Sequence, residues 1–92
     1  MIDDTAYISV LRRKIDNLNM DILKLVNTRL EAAEAILTIK DRLGESFHDP
    51  ERETAMMEKL TEANKGPLCK EDLEKIFNLI FQISLDHVER KI

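Results

Sequence analysis

One spacing constrains this chain more than any other feature. Stepping three and then four residues from Ile8 selects Ile8, Leu11, Ile15, Leu18, Ile22, Leu25, Arg29, Ala32, Ile36, Ile39 and Leu43, and ten of these eleven positions are apolar. Residues three and four apart share a helix face, so the pattern describes one continuous seam on a single long helix. Arg29 interrupts that seam near its middle. A guanidinium keeps its charge and is costly to bury without a partner, so either the protein or an anionic ligand must supply one.

Three helical segments and no strand follow from the placement of the breakers. Gly44 and Pro50 bracket one loop, and Gly66 with Pro67 marks another. The first helix is expected from about Thr5 to Leu43, closed by Gly44 as a C-cap. The second starts from Asp49 as N-cap with Pro50 at the first helical position, and runs to about Asn64 with Arg52, Met56, Leu60 and Ala63 down its inner side. The third starts near Cys69 or Lys70, carries Glu71 and Asp72 in its first turn, and reaches about Arg90. Its inner face is read as Leu73, Ile76, Phe77, Ile80, Ser84 and Val88. The expectation is an all-α fold, one domain over residues 1–92, with one very long helix and two shorter ones.

Length bears on assembly. The stretch from Ile8 to Leu43 spans about 54 Å as a helix, whereas a compact chain of 92 residues is roughly 30 Å across. The first helix also carries a second apolar stripe at Leu23, Val26, Leu30, Ala33 and Leu37. Two stripes on an overhanging helix call for two partners, and a homodimer with the long helices paired supplies both.

Composition narrows the function classes. A net charge of -4 argues against a broad nucleic-acid or anionic-membrane surface. One cysteine, Cys69, allows no internal disulfide and fits a reducing compartment. The chain shows no long apolar run and no basic-then-apolar leader pattern, so a cytoplasmic protein is expected. His48 and His87 lack metal-ligand spacing and are read as solvated, so no metal site is expected.

Four basic residues stand on or beside apolar faces. Arg29 lies in the seam, and Lys40 continues the second stripe. They are 11 residues apart, which places them about 20° apart in azimuth and about 16 Å apart in rise. That gap suits a small dianion. Arg52 follows the Asp49-Pro50 cap, while Arg12 lies about 100° around the helix from Arg29 and reaches the same ligand only from another chain. Singly, each has a plainer reading. Arg29 sets register or pairs with a buried acid, Lys40 snorkels, Arg12 is solvated and Arg52 pairs with Asp49. Together they describe a multiply cationic pocket in an acidic protein.

The ordered set resembles the all-helical chorismate mutases of the intertwined-dimer class. The resemblance rests on Leu11-Arg12-Arg13-Lys14-Ile15-Asp16, the mid-helix Arg29, Lys40, Asp49-Pro50-Glu51-Arg52-Glu53, Ile76-Phe77 and Ser84. The Asp-Pro-Glu-Arg-Glu stretch and Asn64-Lys65-Gly66-Pro67 are similar to the version fused to 3-deoxy-heptulosonate-phosphate synthase, which implies a fusion to, or association with, that enzyme. The resemblance implies rearrangement of chorismate to prephenate, a pericyclic step in aromatic amino-acid biosynthesis with no cofactor. It implies that Arg29 grips a substrate carboxylate and Arg12 of the second protomer supplies another clamp. Arg52 helps around Asp49, and Lys40 donates to the ether oxygen as its bond breaks. Glu53 and the backbone at Asp49 hold the ring hydroxyl, and Ser84 lines the carboxylate end.

One position departs from that pattern. Where the family usually has Gln or Glu bonding the ether oxygen, this chain has Val88, with Glu89 one residue on and about 100° away around the helix. A weakened mutase is therefore expected, or one completed by a partner or a downstream domain. Competing readings are an isochorismate-pyruvate lyase on the same scaffold, a low-activity regulatory module binding chorismate or prephenate, and a plain helical dimerisation domain.

Overall fold

The computed structural model describes residues 3–91, and among them it has three helices and no strand. Helix α1 spans Asp4–Leu43, α2 Pro50–Ala63 and α3 Lys70–Glu89. Each boundary has a local cause. At the start of α1, Asp3 Oδ1 accepts from the Ala6 amide at 2.7 Å, a side-chain cap for a helix N-terminus. At its end, Gly44 takes φ +71°, a conformation open to glycine without strain. The Gly44 amide then donates to the Asp41 carbonyl at 3.2 Å and the Glu45 amide to the Lys40 carbonyl at 2.8 Å. This pair of bonds is a Schellman cap, which satisfies two otherwise orphaned carbonyls.

Asp49 caps α2 by accepting from the Arg52 amide, with Pro50 at the start of the helix as expected. The turn between α2 and α3 is held by Asn64, whose amide group donates to the Leu68 carbonyl at 2.8 Å while its Oδ1 accepts from the Gly66 amide at 3.3 Å. The third helix begins after Cys69 and has Glu71 and Asp72 in its first turn, where the helix dipole favours acids.

By its internal contacts the chain divides into two units, Met1–Glu31 and Ala32–Ile92. In the first, every described residue through Leu25 is exposed, and Val26 and Leu30 are half-buried. The second has a core of Ala33, Leu73, Phe81 and Val88, with Ser84 also buried. Phe77 and Phe81 meet at a centroid distance of 6.4 Å with rings tilted by 53°, a favourable aromatic arrangement.

The two stripes of α1 meet different fates. The second stripe is covered from Val26 onward: Ala33 is buried, and Val26, Leu30, Leu37 and Lys40 are half-buried. The seam that contains Arg29 is exposed at all eleven positions from Ile8 to Leu43. Three expectations for inner faces need correction. Ile76 is 45% exposed and Phe81 is buried in its stead, because the buried stripe of α3 is centred one residue round from the expected one. Arg52 and Ala63 are exposed on α2, whose covered side is formed by Glu53, Met56, Met57, Leu60 and Thr61.

Candidate active site

Lys40 is half-buried at the end of α1, and its Nζ donates to the Ser46 carbonyl at 3.2 Å. Its own carbonyl is bound in the Schellman cap. Backbone and side chain of one residue thus tie down Glu45 and Ser46 at the start of the loop entering α2. Across that loop, Asp49 is half-buried and its Oδ1 accepts from the Arg52 amide at 3.2 Å. This fixes the Arg52 backbone while the guanidinium stands exposed. Glu53, one residue on, is half-buried, and its Oε2 lies 3.5 Å from His48 Nε2. The end of α1, the loop after it and the first turn of α2 thus carry Lys40, Asp49, Arg52 and Glu53 within 14 residues of chain. His48, beside the Glu53 carboxylate, is exposed, as the sequence had suggested.

Ser84 and Val88 lie one turn apart on the buried face of α3. The Ser84 hydroxyl donates to the Ile80 carbonyl of its own helix at 2.9 Å, as hydroxyls in apolar surroundings often do. Val88, only 1% exposed, has the most deeply buried side chain among the described residues, and Glu89 is exposed. The register read from the sequence thus places Val88 on the covered face of α3, with Glu89 on the exposed side. Arg12 and Arg29 both stand exposed on α1.

The most direct polar tie in the second unit was not foreseen. His87 Nε2 donates to Glu34 Oε1 at 2.6 Å, and Lys91 Nζ lies 3.5 Å from the same oxygen. The imidazole is 25% exposed, so His87 is not the solvated histidine expected. The His87 hydrogen bond, aided by the charge of Lys91, holds the Glu34 carboxyl below its ordinary range against the opposing cost of partial burial. No spacing rule links positions 53 residues apart, so only the half-apolar placing of Glu34 beside Ala33 gave any signal.

Comparison with known proteins decides the family. The family model described as chorismate mutase type II matches residues 11–89. The chain belongs to that family. These mutases are isomerases, and their all-helical fold is the one seen here. A chorismate mutase of Methanocaldococcus jannaschii is 38% identical over 89 residues, covering 95% of this chain and 82% of that protein. A bifunctional chorismate mutase/prephenate dehydratase of Pseudomonas aeruginosa is 32% identical over 87 residues. It is much longer: the match spans 89% of this chain and 24% of that one. Among solved structures, a chorismate mutase of Thermus thermophilus superposes with a TM-score of 0.88 at 38% identity, covering 91% of this chain and 96% of that one. The fusions seen among these mutase relatives are to prephenate dehydratase. Among the described residues, no helix is long and apolar enough to cross a membrane.

Proposed function

We propose that this chain is a chorismate mutase that converts chorismate to prephenate as a homodimer, residues 1–92 acting as one domain. The observation that carries the reading is the extent of the family match. It runs from residue 11 to residue 89 and so takes in Arg12, Arg29, Lys40, Asp49, Arg52, Glu53, Ser84 and Val88 together. The dimer is supported by the exposed α1 seam, an apolar surface of a kind that marks an interaction site.

The reaction is a unimolecular rearrangement, so catalysis consists of holding the reactive conformer and stabilising the charge that develops. Arg29 grips one substrate carboxylate and Arg12 of the second protomer clamps the ligand from across the dimer, both by charge-assisted hydrogen bonds. Lys40 donates to the ether oxygen. Its ammonium rests on the neutral Ser46 carbonyl, and an oxygen gaining negative charge is the stronger acceptor. Arg52 supports the site from the Asp49 cap. Glu53 and the Asp49 backbone hold the ring hydroxyl, with His48 beside the Glu53 carboxylate. Ser84 reaches the carboxylate end by releasing the Ile80 carbonyl. Val88 offers no donor, so one contact to the ether oxygen is lost and turnover is slow. Missing one such donor costs about 10²–10³ in rate.

The assay is direct: purified protein consumes chorismate and releases prephenate, and a bicyclic transition-state analogue inhibits it. Pyruvate release from isochorismate with no loss of chorismate would assign the lyase reaction instead. Analogue binding without turnover would assign a regulatory module. The same reading places the enzyme in the cytoplasm. The Asp49–Glu53 stretch supports association with 3-deoxy-heptulosonate-phosphate synthase, tested by co-purification against prephenate dehydratase as the competing partner.

A further inference from the structure

Three features of the molecule lie outside the roles assigned so far. The stripe of Ile76, Leu79 and Ile83 on α3 is exposed, and nothing in the structure shows what covers it. The shallow depression beside Val10, Arg13, Asn17 and Asp21 belongs to one face of α1 and presents no built ligand site. The cluster of Glu34, His87 and Lys91 is different, because it joins two helices at a defined place.

That place is the last turn and a half of α3. His87 lies between Ser84 and Val88 in sequence, and Glu34 follows the buried Ala33 on α1. The end of α3 has weak means of holding itself. No glycine cap follows it. The Arg90 amide donates to the Asp86 carbonyl at 3.2 Å as an ordinary helical bond, and the Lys91 amide to the Val88 carbonyl at 3.0 Å tightens the last turn. The Asp86 side chain is turned toward Gln82, whose amide donates to it at 2.8 Å. Apolar burial of Val88 alone resists sliding along the helix axis poorly, since van der Waals contact has little directionality. A short bond between a carboxylate and an imidazole N–H is directional and fixes both translation and rotation.

We propose that Glu34 and His87 form a positioning pair that sets the rotation of the end of α3, and through it the presentation of Ser84 and position 88 to the substrate. Neither residue touches the substrate; both act through Ser84 and Val88. The inference rests on the mutase reading for its kinetic consequence and on the structure alone for the pair itself.

The test combines kinetics with amide hydrogen exchange on the full chain. Glu34→Ala and His87→Leu are each expected to raise KM for chorismate by roughly 3- to 10-fold, the range of coupling carried by residues that contact no ligand. Their kcat changes by less than about 2-fold, because the interaction acts on ground state and transition state alike. His87→Gln keeps an N–H donor and restores KM toward the parent value. The double variant is no worse than either single one, as for two ends of one interaction. Hydrogen exchange in Glu34→Ala accelerates at residues 84–89 and stays unchanged in α2. Uniform acceleration along the chain, or none at all, overturns the pair. So do unchanged kinetic constants in an active enzyme. If the parent protein fails to turn over chorismate, the functional reading falls by itself, and the exchange pattern still decides whether the pair holds α3.

Discussion

Two stretches of α1 carry apolar periodicity of equal quality and end in opposite surroundings. Over residues 32–43 one stripe is covered by this chain's own fold, with Ala33 buried and Leu37 and Lys40 half-buried. Over residues 4–25 the side chains of the same helix stand in solvent, and Leu25 is 66% exposed. The lesson is that periodicity fixes which residues share a face but says nothing of what covers that face. Exposing so many large aliphatic side chains forgoes the hydrophobic stabilisation their burial would bring, about 1.5–3 kcal/mol for each Leu or Ile. In the proposed dimer the partner's long helix recovers it.

The comparison can be broken most sharply at Arg29, the one charge on the open seam. Arg29→Ala is expected to lower kcat/KM for chorismate by about 10³, the scale of removing a charged clamp, while sedimentation shows an unchanged oligomer. Dissociation would make Arg29 a register-setting residue instead. Next in size is Leu18→Asp, in the middle of the exposed stretch. It dissociates the dimer and removes activity that depends on Arg12 from the second chain, and helicity falls with dilution. An active, unchanged oligomer would show that the open face has another use.

Val88→Gln probes the covered region. Turnover is expected to rise by about 10² as the ether oxygen regains a donor, whereas thermal stability falls because an amide enters the deepest position of the core. Unchanged turnover would mean that position 88 does not face the substrate. The smallest effect concerns acid. The Glu34 carboxyl has a folded-state pKa held below its ordinary value of 4.5, so it binds a proton less readily in the folded protein than in the unfolded chain. Its contribution to stability is complete above pH 4.5 and is lost as pH falls through the lowered value. Glu34→Gln should flatten the loss of stability below pH 4.5, measured by denaturant titration against pH. An identical slope in both proteins would assign the acid sensitivity to other carboxylates.

Much of the molecule was legible because its signals are local. Asp49 with Pro50 marked the start of α2, and Gly44 marked the end of α1, since capping depends on residues within one turn. The register of Ser84 and Val88 followed from the 3.6-residue repeat. The ordered cations gave the family, because their spacing survives as a linear pattern. Three readings failed where tertiary packing decides. Arg52 was placed inward from its neighbours Met56 and Leu60, yet a long cation at the first turn of α2 turns to solvent with little cost. Ile76 and Phe81 exchanged roles because the apolar arc of α3 is wide, and the larger aromatic surface gains more from the buried side. His87 was given no partner because its partner is 53 residues away.

By itself the sequence determined three helices, the caps at Gly44 and Asp49, the two stripes of α1 and membership of the type II chorismate mutases, since each is written in residue types at short and fixed spacing. Only the tertiary structure decided which stripe is covered within the chain. It also decided that the seam bearing Arg29 faces outward and that Glu34 meets His87. Helix geometry sets the azimuth of each side chain from its own turn, but burial depends on the angle at which another helix arrives, and no local spacing encodes that angle.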